Sequence, residues 1–341
     1  MQRPLRTMAR RAATLLAAAA LLALPAGLTP ARAQAAQDFP NKPITMIVVF
    51  SPGGATDVLA RIAADHMSRT LGQRVVVENV TGAGGTIGGA RGAQAAPDGY
   101  TLTVGSMGSH SAAPTIYASS IKFNPLDLEP VGLIGGTPLY LAVKNDFPAK
   151  TYKEFAAHVK ANPGKVSLAH AGVGSTNHLA SLLLMHLTGL QFNSVAYRGE
   201  GPAAADLIAG HIDSSGLFAP AAVPHIQGGK MRALLIAQTD RAEATPDVPT
   251  AKEAGIDKFL LQGWSAVFAP KGTPKPVIAK LSEALQAAVA DPTVRKRIEE
   301  LGALPATGKS ATPDYLGSML KDDIERWSVV IKAAGISEPK N

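Results

Sequence analysis

The chain has 341 residues, no cysteine and a formal net charge of +7. The absence of cysteine excludes disulfides, thiolate metal sites and cysteine nucleophiles. Five arginines and no acids precede residue 34, so the remaining chain, with 28 basic and 26 acidic residues, carries only +2. This small charge removes the main sequence support for a nucleic-acid-binding or polybasic membrane-binding protein.

Residues 1–33 are predicted to form a secretory signal peptide. An arginine-rich start is followed by an apolar run over residues 12–24 and by the small-x-small pattern of residues 31–33. The run is shorter than the roughly 20 residues that span a bilayer. Arg10 and Arg11 leave a twin-arginine export route open. We expect cleavage after Ala33, release into a bacterial periplasm, and no lipid anchor because no cysteine is present to carry one.

Short apolar segments alternate with helical patterns in most of the chain. Predicted strands, rich in Val, Ile, Leu or Tyr as in strands covered on both faces, span residues 44–50, 75–79, 100–105, 139–143, 166–169 and 233–237. Apolar residues at helical spacing predict helices that start near Asp57 and end at Gly72, that cover 179–188, and that cover 202–209. This alternation predicts an α/β fold with mostly parallel sheets.

The end of the chain has a different pattern. Three helices, over residues 276–290, 292–301 and from Thr312 to Ile331, follow one another without a predicted strand and would form a cap on a complete sheet. Two proline-bearing apolar stretches, 136–143 and 263–270, are candidate crossovers between domains. The predicted organisation is one domain of residues 38–138 and 264–341, and a second of residues 139–263.

Residues 51–57, Ser-Pro-Gly-Gly-Ala-Thr-Asp, join the first predicted strand to the first predicted helix. The unpaired backbone N–H groups and the positive end of the helix dipole at such a turn favour an anion. A second loop of this kind, residues 172–178, offers Ser175 or Thr176 as a helix cap or an anion ligand. Two such loops facing each other would suit a small molecule with two acidic groups. We expect Asp57 to cap its helix and brace the loop.

Two other glycine-rich segments do not match nucleotide-binding motifs. In residues 81–89, Ile87 stands where G-x-G-x-x-G needs its last glycine, so we expect a flexible turn beside the cleft. In residues 302–310, five residues separate the glycines where a P-loop has four, and helices flank the segment. We therefore expect no nucleotide cofactor.

The sequence predicts neither a catalytic residue nor a metal site. Residues 105–110 bring serine and histidine close together, but the chain has no G-x-S-x-G elbow, so Ser106 is expected to bind a ligand by its hydroxyl. His178 and His186 lie two helical turns apart without a third ligand, which favours packed histidines. Arg198 is either a solvated charge or a clamp for a carboxylate. The candidate loops offer hydrogen bonding rather than bond breaking.

Eight blocks in order across nearly the whole chain after residue 37 resemble one family. They include FPNKPITMIVVFSPGGATDVLARIAA, NPGKVSLAHAGVGSTNHLA, VAYRGEGPAAADLIAGHID and GWSAVFAPKGTPKPVIAKL. The chain is similar to the periplasmic solute-binding receptors of tripartite tricarboxylate transporters, the Bug or TctC family. It departs at Ala196, where the family often has proline, and at Arg198, where it has lysine. These departures bear on the identity of the ligand more than on the function.

The resemblance implies a two-domain Venus-flytrap fold, type II-like, with a cleft that binds a small organic carboxylate. The ligand would be a di- or tricarboxylate, an aromatic acid or an acidic amino acid, delivered to membrane permease subunits, and we expect the receptor to be a monomer. Carried over residue by residue, the resemblance implies a ligand site of thirteen residues: Pro52, Gly53, Gly54, Thr56, Asp57, Ser106, Gly174, Ser175, Thr176, His178, Tyr197, Phe218 and Ala219.

Two alternatives stay open on the residues alone. A ligand-sensing accessory of a membrane two-component system would carry the same cleft. An exported hydrolase would need a nucleophile and base that the motifs do not supply.

Overall fold

The structure is a computed structural model that describes residues 38–333 and 335–338. The predicted signal peptide, residues 1–33, lies outside this range. None of the described helices is both long enough and apolar enough to cross a bilayer.

Among the described residues, ten strands form the sheet, all of them short except the fourth. In chain order, β1 to β10 are Ile44–Val48, Val75–Asn79, Thr101–Ser106, Glu129–Lys144, Ser167–His170, Asn193–Ala196, Ser214–Phe218, Met231–Ile236, Gln262–Ala269 and Leu304–Pro305.

Within the part of the chain that the structure describes, ten α-helices cover the sheet. In chain order, α1 to α10 are Ala55–Leu71, Thr86–Ala93, Ala113–Ile116, Tyr152–Ala161, Thr176–Thr188, Glu200–Ile208, Ala219–Gln227, Lys275–Ala290, Pro292–Glu300 and Pro313–Ala333. A π-helical turn, Met107–Ala112, leads from β3 into α3.

Two groups of parallel strands flank the centre of the sheet. Strand β1 pairs parallel with β2 and β3, and β5 pairs parallel with β6 and β7. Each parallel pair is joined by a crossover that contains a helix, as parallel pairing requires. The loops that follow β1 and β5 therefore leave the carboxyl ends of parallel strands, where open α/β sheets place their ligands.

Strand β4 links the two groups. Over residues Glu129 to Pro138 it pairs antiparallel with β9, and over Leu139 to Lys144 it pairs antiparallel with β7 and β8. The sequence predicted mostly parallel sheets, but the sheet is mixed, because the crossover segments are themselves strands that run back against their neighbours. The α/β class is confirmed.

Helix ends follow the predicted glycines closely. Helix α1 ends at Gly72 with φ 67°, and α5 ends at Gly189 with φ 68°, both in the left-handed region that glycine adopts without steric cost. The apolar face predicted for α8 is buried at Val277, Leu281 and Leu285, and packs on α1 and β4. The expectation that no strand separates the three C-terminal helices was wrong: β10 lies between α9 and α10 and pairs with β4.

Candidate ligand-binding site

The loop between β1 and α1 is braced by Asp57. Helix α1 begins at Ala55 and its N-cap is Gly54, which has no side-chain capping bond, so the predicted N-cap role of Asp57 was wrong. Asp57 lies in the first turn and accepts hydrogen bonds from the Gly53 N–H at 3.0 Å, Asn79 Nδ2 at 2.8 Å and Arg61 Nε at 3.0 Å. Burial acts to raise the pKa of Asp57, but these bonds outweigh it and lower the pKa.

The cap of α1 comes from a distant residue, Glu200. Its Oε2 accepts from the Ala55 N–H at 2.8 Å, and its Oε1 accepts from Asn177 Nδ2 at 2.7 Å and from the Phe218 N–H at 2.7 Å. Glu200 is 6% exposed, and burial raises its pKa against the opposing effect of the three donors. Sequence reasoning missed this residue, because an acid in the first turn of a helix ordinarily interacts with its own helix dipole.

The loop between β5 and α5 is shaped by Ser175 and Thr176. Ser175 is the N-cap of α5, as predicted for one of these two residues: its Oγ accepts from the His178 N–H at 3.3 Å and donates to the Gly172 carbonyl at 2.6 Å. The Thr176 Oγ1 accepts from the Gly108 N–H at 2.9 Å. The two hydroxyls therefore hold the turn and join it to the π-helical turn after β3.

Two histidines accept hydrogen bonds from the backbone of the same loop. The His178 Nδ1 accepts from the Gly174 N–H at 3.3 Å, and the His170 Nδ1 accepts from the Gly172 N–H at 3.2 Å. Their rings lie 4.5 Å apart between centroids. Burial, and secondly the neighbouring His170, lower the pKa of His178 to about 4. Both rings are neutral near pH 7 and act as acceptors for the loop backbone.

An inner cavity of about 20 Å³ lies where the two loops meet. Five of the thirteen predicted site residues line it, namely Gly54, Thr56, Ser106, Thr176 and Phe218. Glu200 and Asn177 complete its polar wall, and Thr137, Trp264 and Ser265 add residues from the crossover strands β4 and β9. Sequence reasoning missed these five, because no local motif marks a side chain that reaches the site from a crossover strand or a helix start.

An outer cavity of about 210 Å³ adjoins the inner one, since Phe50 and Ala171 line both. Its wall includes the predicted residue Tyr197, Arg198, and the glycine-rich turn Gly82 to Gly85. Backbone approaches backbone closely here: a Cβ on Gly84, at φ 61°, would lie 2.5 Å from the Val173 carbonyl oxygen. The 81–89 segment thus reaches the cleft, and it does so as a 3-10 turn followed by α2.

The other predicted site residues line neither cavity. Pro52 and Gly53 are exposed at the outside of the first loop. Asp57, Gly174, Ser175 and His178 form the hydrogen bonds that shape the two loops, and Ala219 is the first residue of α7 rather than part of a loop. The structure therefore separates the predicted set into residues that face the cavities and residues that support them.

The charged groups at the two cavities differ in sign. Glu200 is the one ionisable side chain among the described residues of the inner wall, and Arg198 is the one cation among those of the outer wall. The Tyr197 hydroxyl donates to Asp206 at 2.6 Å, and burial together with this carboxylate raises the pKa of Tyr197 to about 12. Most of the remaining wall is backbone, hydroxyl and aromatic surface, which suits ligand binding without covalent chemistry.

Solved structures with this architecture define the class of protein. The periplasmic binding protein BugD superposes with a TM-score of 0.85 at 38% identity, covering 88% of this chain and 100% of BugD. MatC from Rhodopseudomonas palustris, solved with bound malate, superposes with a TM-score of 0.82 at 39% identity, covering 86% of this chain and 100% of MatC. The fold is that of a two-domain periplasmic binding protein.

Sequence comparison then identifies the family. Residues 59–336 match the tripartite tricarboxylate transporter family receptor, TctC. Protein BugT of Bordetella pertussis is 39% identical over 301 residues, which cover 88% of this chain and 91% of BugT. The chain belongs to the receptors of the tripartite tricarboxylate transporter family, and the resemblance noted in its sequence blocks is confirmed. Membership of this family of periplasmic binding proteins implies a periplasmic location.

Proposed function

We propose that this receptor captures a small organic carboxylate in the two adjoining cavities and delivers it to the permease subunits of a tripartite transporter. The observation that carries the proposal is the convergence of two helix-opening loops, residues 51–57 and 172–178, on one cleft lined by backbone and hydroxyl groups. Such groups bind carboxylate oxygens by hydrogen bonds. The malate bound in the related MatC is a ligand of the same class.

The domains are proposed to divide at the crossover strands, into residues 38–138 with 264–341 and residues 139–263. The partner exchange of β4 between Pro138 and Leu139 supports the first boundary. Hydrogen bonds that would then link the domains include Ser51 N–H to the Arg198 carbonyl at 3.2 Å, Gly108 N–H to Thr176, and Tyr117 OH to the Val173 carbonyl at 2.8 Å. A ligand shifts the equilibrium between the open and closed forms only by as much as it binds the closed form more tightly.

The receptor is proposed to be a monomeric binding protein rather than an enzyme, exported by a cleaved signal peptide and free of a lipid anchor. A serine–histidine contact does occur, with Ser109 Oγ 2.9 Å from His110 Nδ1. Both side chains are 0% exposed, and burial lowers the pKa of His110 to about 3. A substrate has no access to this pair, which argues against the hydrolase alternative.

Thermal-shift screening of the mature protein tests the binding function. The panel contains malate, succinate, citrate, benzoate and L-aspartate, with glucose as a neutral control. We expect at least one acid to raise the melting temperature in a concentration-dependent way, because a ligand that binds only the folded state stabilises it. Stabilisation by glucose with no response to any acid contradicts the proposal.

A further inference from the structure

Glu200 places a carboxylate inside the cleft of a receptor for carboxylates. It is buried, it lines the inner cavity, and its three hydrogen-bond partners, Ala55 N–H, Asn177 Nδ2 and Phe218 N–H, are all donors. All three partners donate, so they match carboxylate oxygens that only accept, and they favour the ionised group against the burial that raises its pKa. The protein itself thereby supplies the anion at the start of α1.

A second carboxylate in the inner cavity would meet two obstacles. The Ala55 N–H, one of the donors at this helix start that a ligand anion could use, is already bound by Glu200. The described residues of the inner wall include no cation to offset two neighbouring negative charges. A carboxylate has about four lone-pair sites and Glu200 uses three, so it can accept one more hydrogen bond from a ligand donor.

The sizes of the two cavities also disfavour a ligand carboxylate in the inner one. The inner cavity offers about 20 Å³, and about 10 to 15 Å³ of such space holds one water molecule. An ammonium group is close to water in size, whereas a carboxylate adds a carbon and a second oxygen. The outer cavity offers about 210 Å³ and has Arg198 in its wall, so it has both the room and the charge for a carboxylate.

We propose that the ligand of this receptor is a small amino acid whose ammonium group faces Glu200 and whose carboxylate lies in the outer cavity near Arg198. This inference rests on the proposed carboxylate-binding function and narrows its substrate class to zwitterions. Glu200 is then the residue that sets specificity against dicarboxylates of the same length.

Calorimetry with three matched ligand pairs tests the inference: succinate and 3-aminopropanoate, glutarate and 4-aminobutyrate, and adipate and 5-aminopentanoate. Within each pair an ammonium group replaces one carboxylate. We expect at least one amino acid to bind wild type more than about tenfold more tightly than its dicarboxylate partner, because only the former pairs with Glu200. If every dicarboxylate binds as tightly as its partner or more tightly, the inference is wrong while the receptor function stands.

The variant Glu200→Gln tests the residue itself. We expect it to lower or reverse the preference for the amino acid within each pair, and the exposed Glu299→Gln on α9 to leave the preference unchanged. The ratio of the affinities for the two ligands of a pair is measured within one variant, so a general loss of binding cancels. A purely structural role of Glu200 would therefore leave this ratio unchanged. An unaltered ratio in Glu200→Gln overturns the inference. If no member of any pair binds and glucose does, the proposed function itself fails.

Discussion

At the scale of single residues, the cleft separates side chains that face a ligand from side chains that hold the loops. Thr56 and Thr176 line the inner cavity, while Asp57 and Ser175 are engaged in hydrogen bonds within their own loops. This division follows from the helical starts: successive residues of a first turn point in directions about 100° apart, so neighbours in sequence serve different purposes.

Replacing Thr56 by leucine should weaken ligand binding by at least about tenfold, because the added volume enters an inner cavity with room for little more than one water molecule. Calorimetry with the best acid from the thermal-shift panel measures the loss, and circular dichroism checks that the variant is folded. Pro52→Ala, at an exposed position that lines neither cavity, is the matched control within the same loop. Unchanged affinity in Thr56→Leu would contradict the placement of the ligand.

Replacing Asp57 by asparagine should destabilise the fold by about 1.5 to 3 kcal/mol, the usual range for hydrogen bonds to a charged group. The asparagine keeps the shape but loses the charge that Arg61 faces and can present a donor to the donor of Asn79. Urea denaturation measures the change. The control is Asp65→Asn, which removes an exposed ion pair with Arg69 on the same helix and should have little effect. Equal effects of the two variants would refute a bracing role for Asp57.

At the scale of elements, most helices end where the sequence predicts, because their stop signals are local. A glycine in the left-handed region satisfies the last carbonyls of a helix without any tertiary partner. Helix α4 also has a local signal, the capping box formed by Thr151 and Glu154, which the sequence analysis overlooked. Strand β4 is different: only the exchange of partners along it explains sixteen consecutive strand residues.

The variant Gly72→Ala should lower the stability by about 1 to 2 kcal/mol, because alanine at φ 67° is strained. No atom lies within 4 Å of the added Cβ, so the effect isolates backbone conformation. Gly317→Ala, inside α10 with an ordinary 3.6 Å contact to Pro130, should instead raise stability by roughly 0.5 to 1 kcal/mol. Chemical denaturation of both variants compares them, and the same sign of change in the two would contradict this account.

At the scale of the whole molecule, buried histidines couple stability to pH. Burial lowers the pKa of His110 to about 3 and of His178 to about 4, and it lowers the pKa of His170 as well. An unfolded histidine takes up a proton near pH 6.5. Between pH 6.5 and 4 the unfolded chain therefore binds more protons, and these residues stabilise the fold less as the pH falls.

We expect the free energy of unfolding contributed by His110 to fall by about 1 kcal/mol per pH unit between pH 6 and 5. Other titrating groups, among them Glu200 with its raised pKa, also contribute to the pH dependence of the wild type. The test therefore compares the loss of stability between pH 6 and pH 5 in wild type with that in His110→Gln, each measured by denaturation. The variant, with no imidazole to titrate, should lose less stability on acidification. Parallel pH dependence in the two proteins would show that His110 does not carry the effect.

The sequence by itself determined the local features of this protein. Alternating apolar segments, capping residues and glycines at helix ends act over a few residues, so they predicted the α/β class, the ends of several helices and the two helix-opening loops. The ordered family blocks identified the receptor family. Each of these signals is read within a short stretch of chain.

Only the tertiary structure decided which groups occupy the cleft. Glu200 lies 145 positions from Ala55, and Thr137, Trp264 and Ser265 come from strands whose pairing is not local. Whether an acid at a helix start faces solvent, its own helix or a distant backbone amide depends on packing between remote segments. For this reason the sequence predicted the two loops that form the cleft, while the carboxylate between them became visible only in the folded chain.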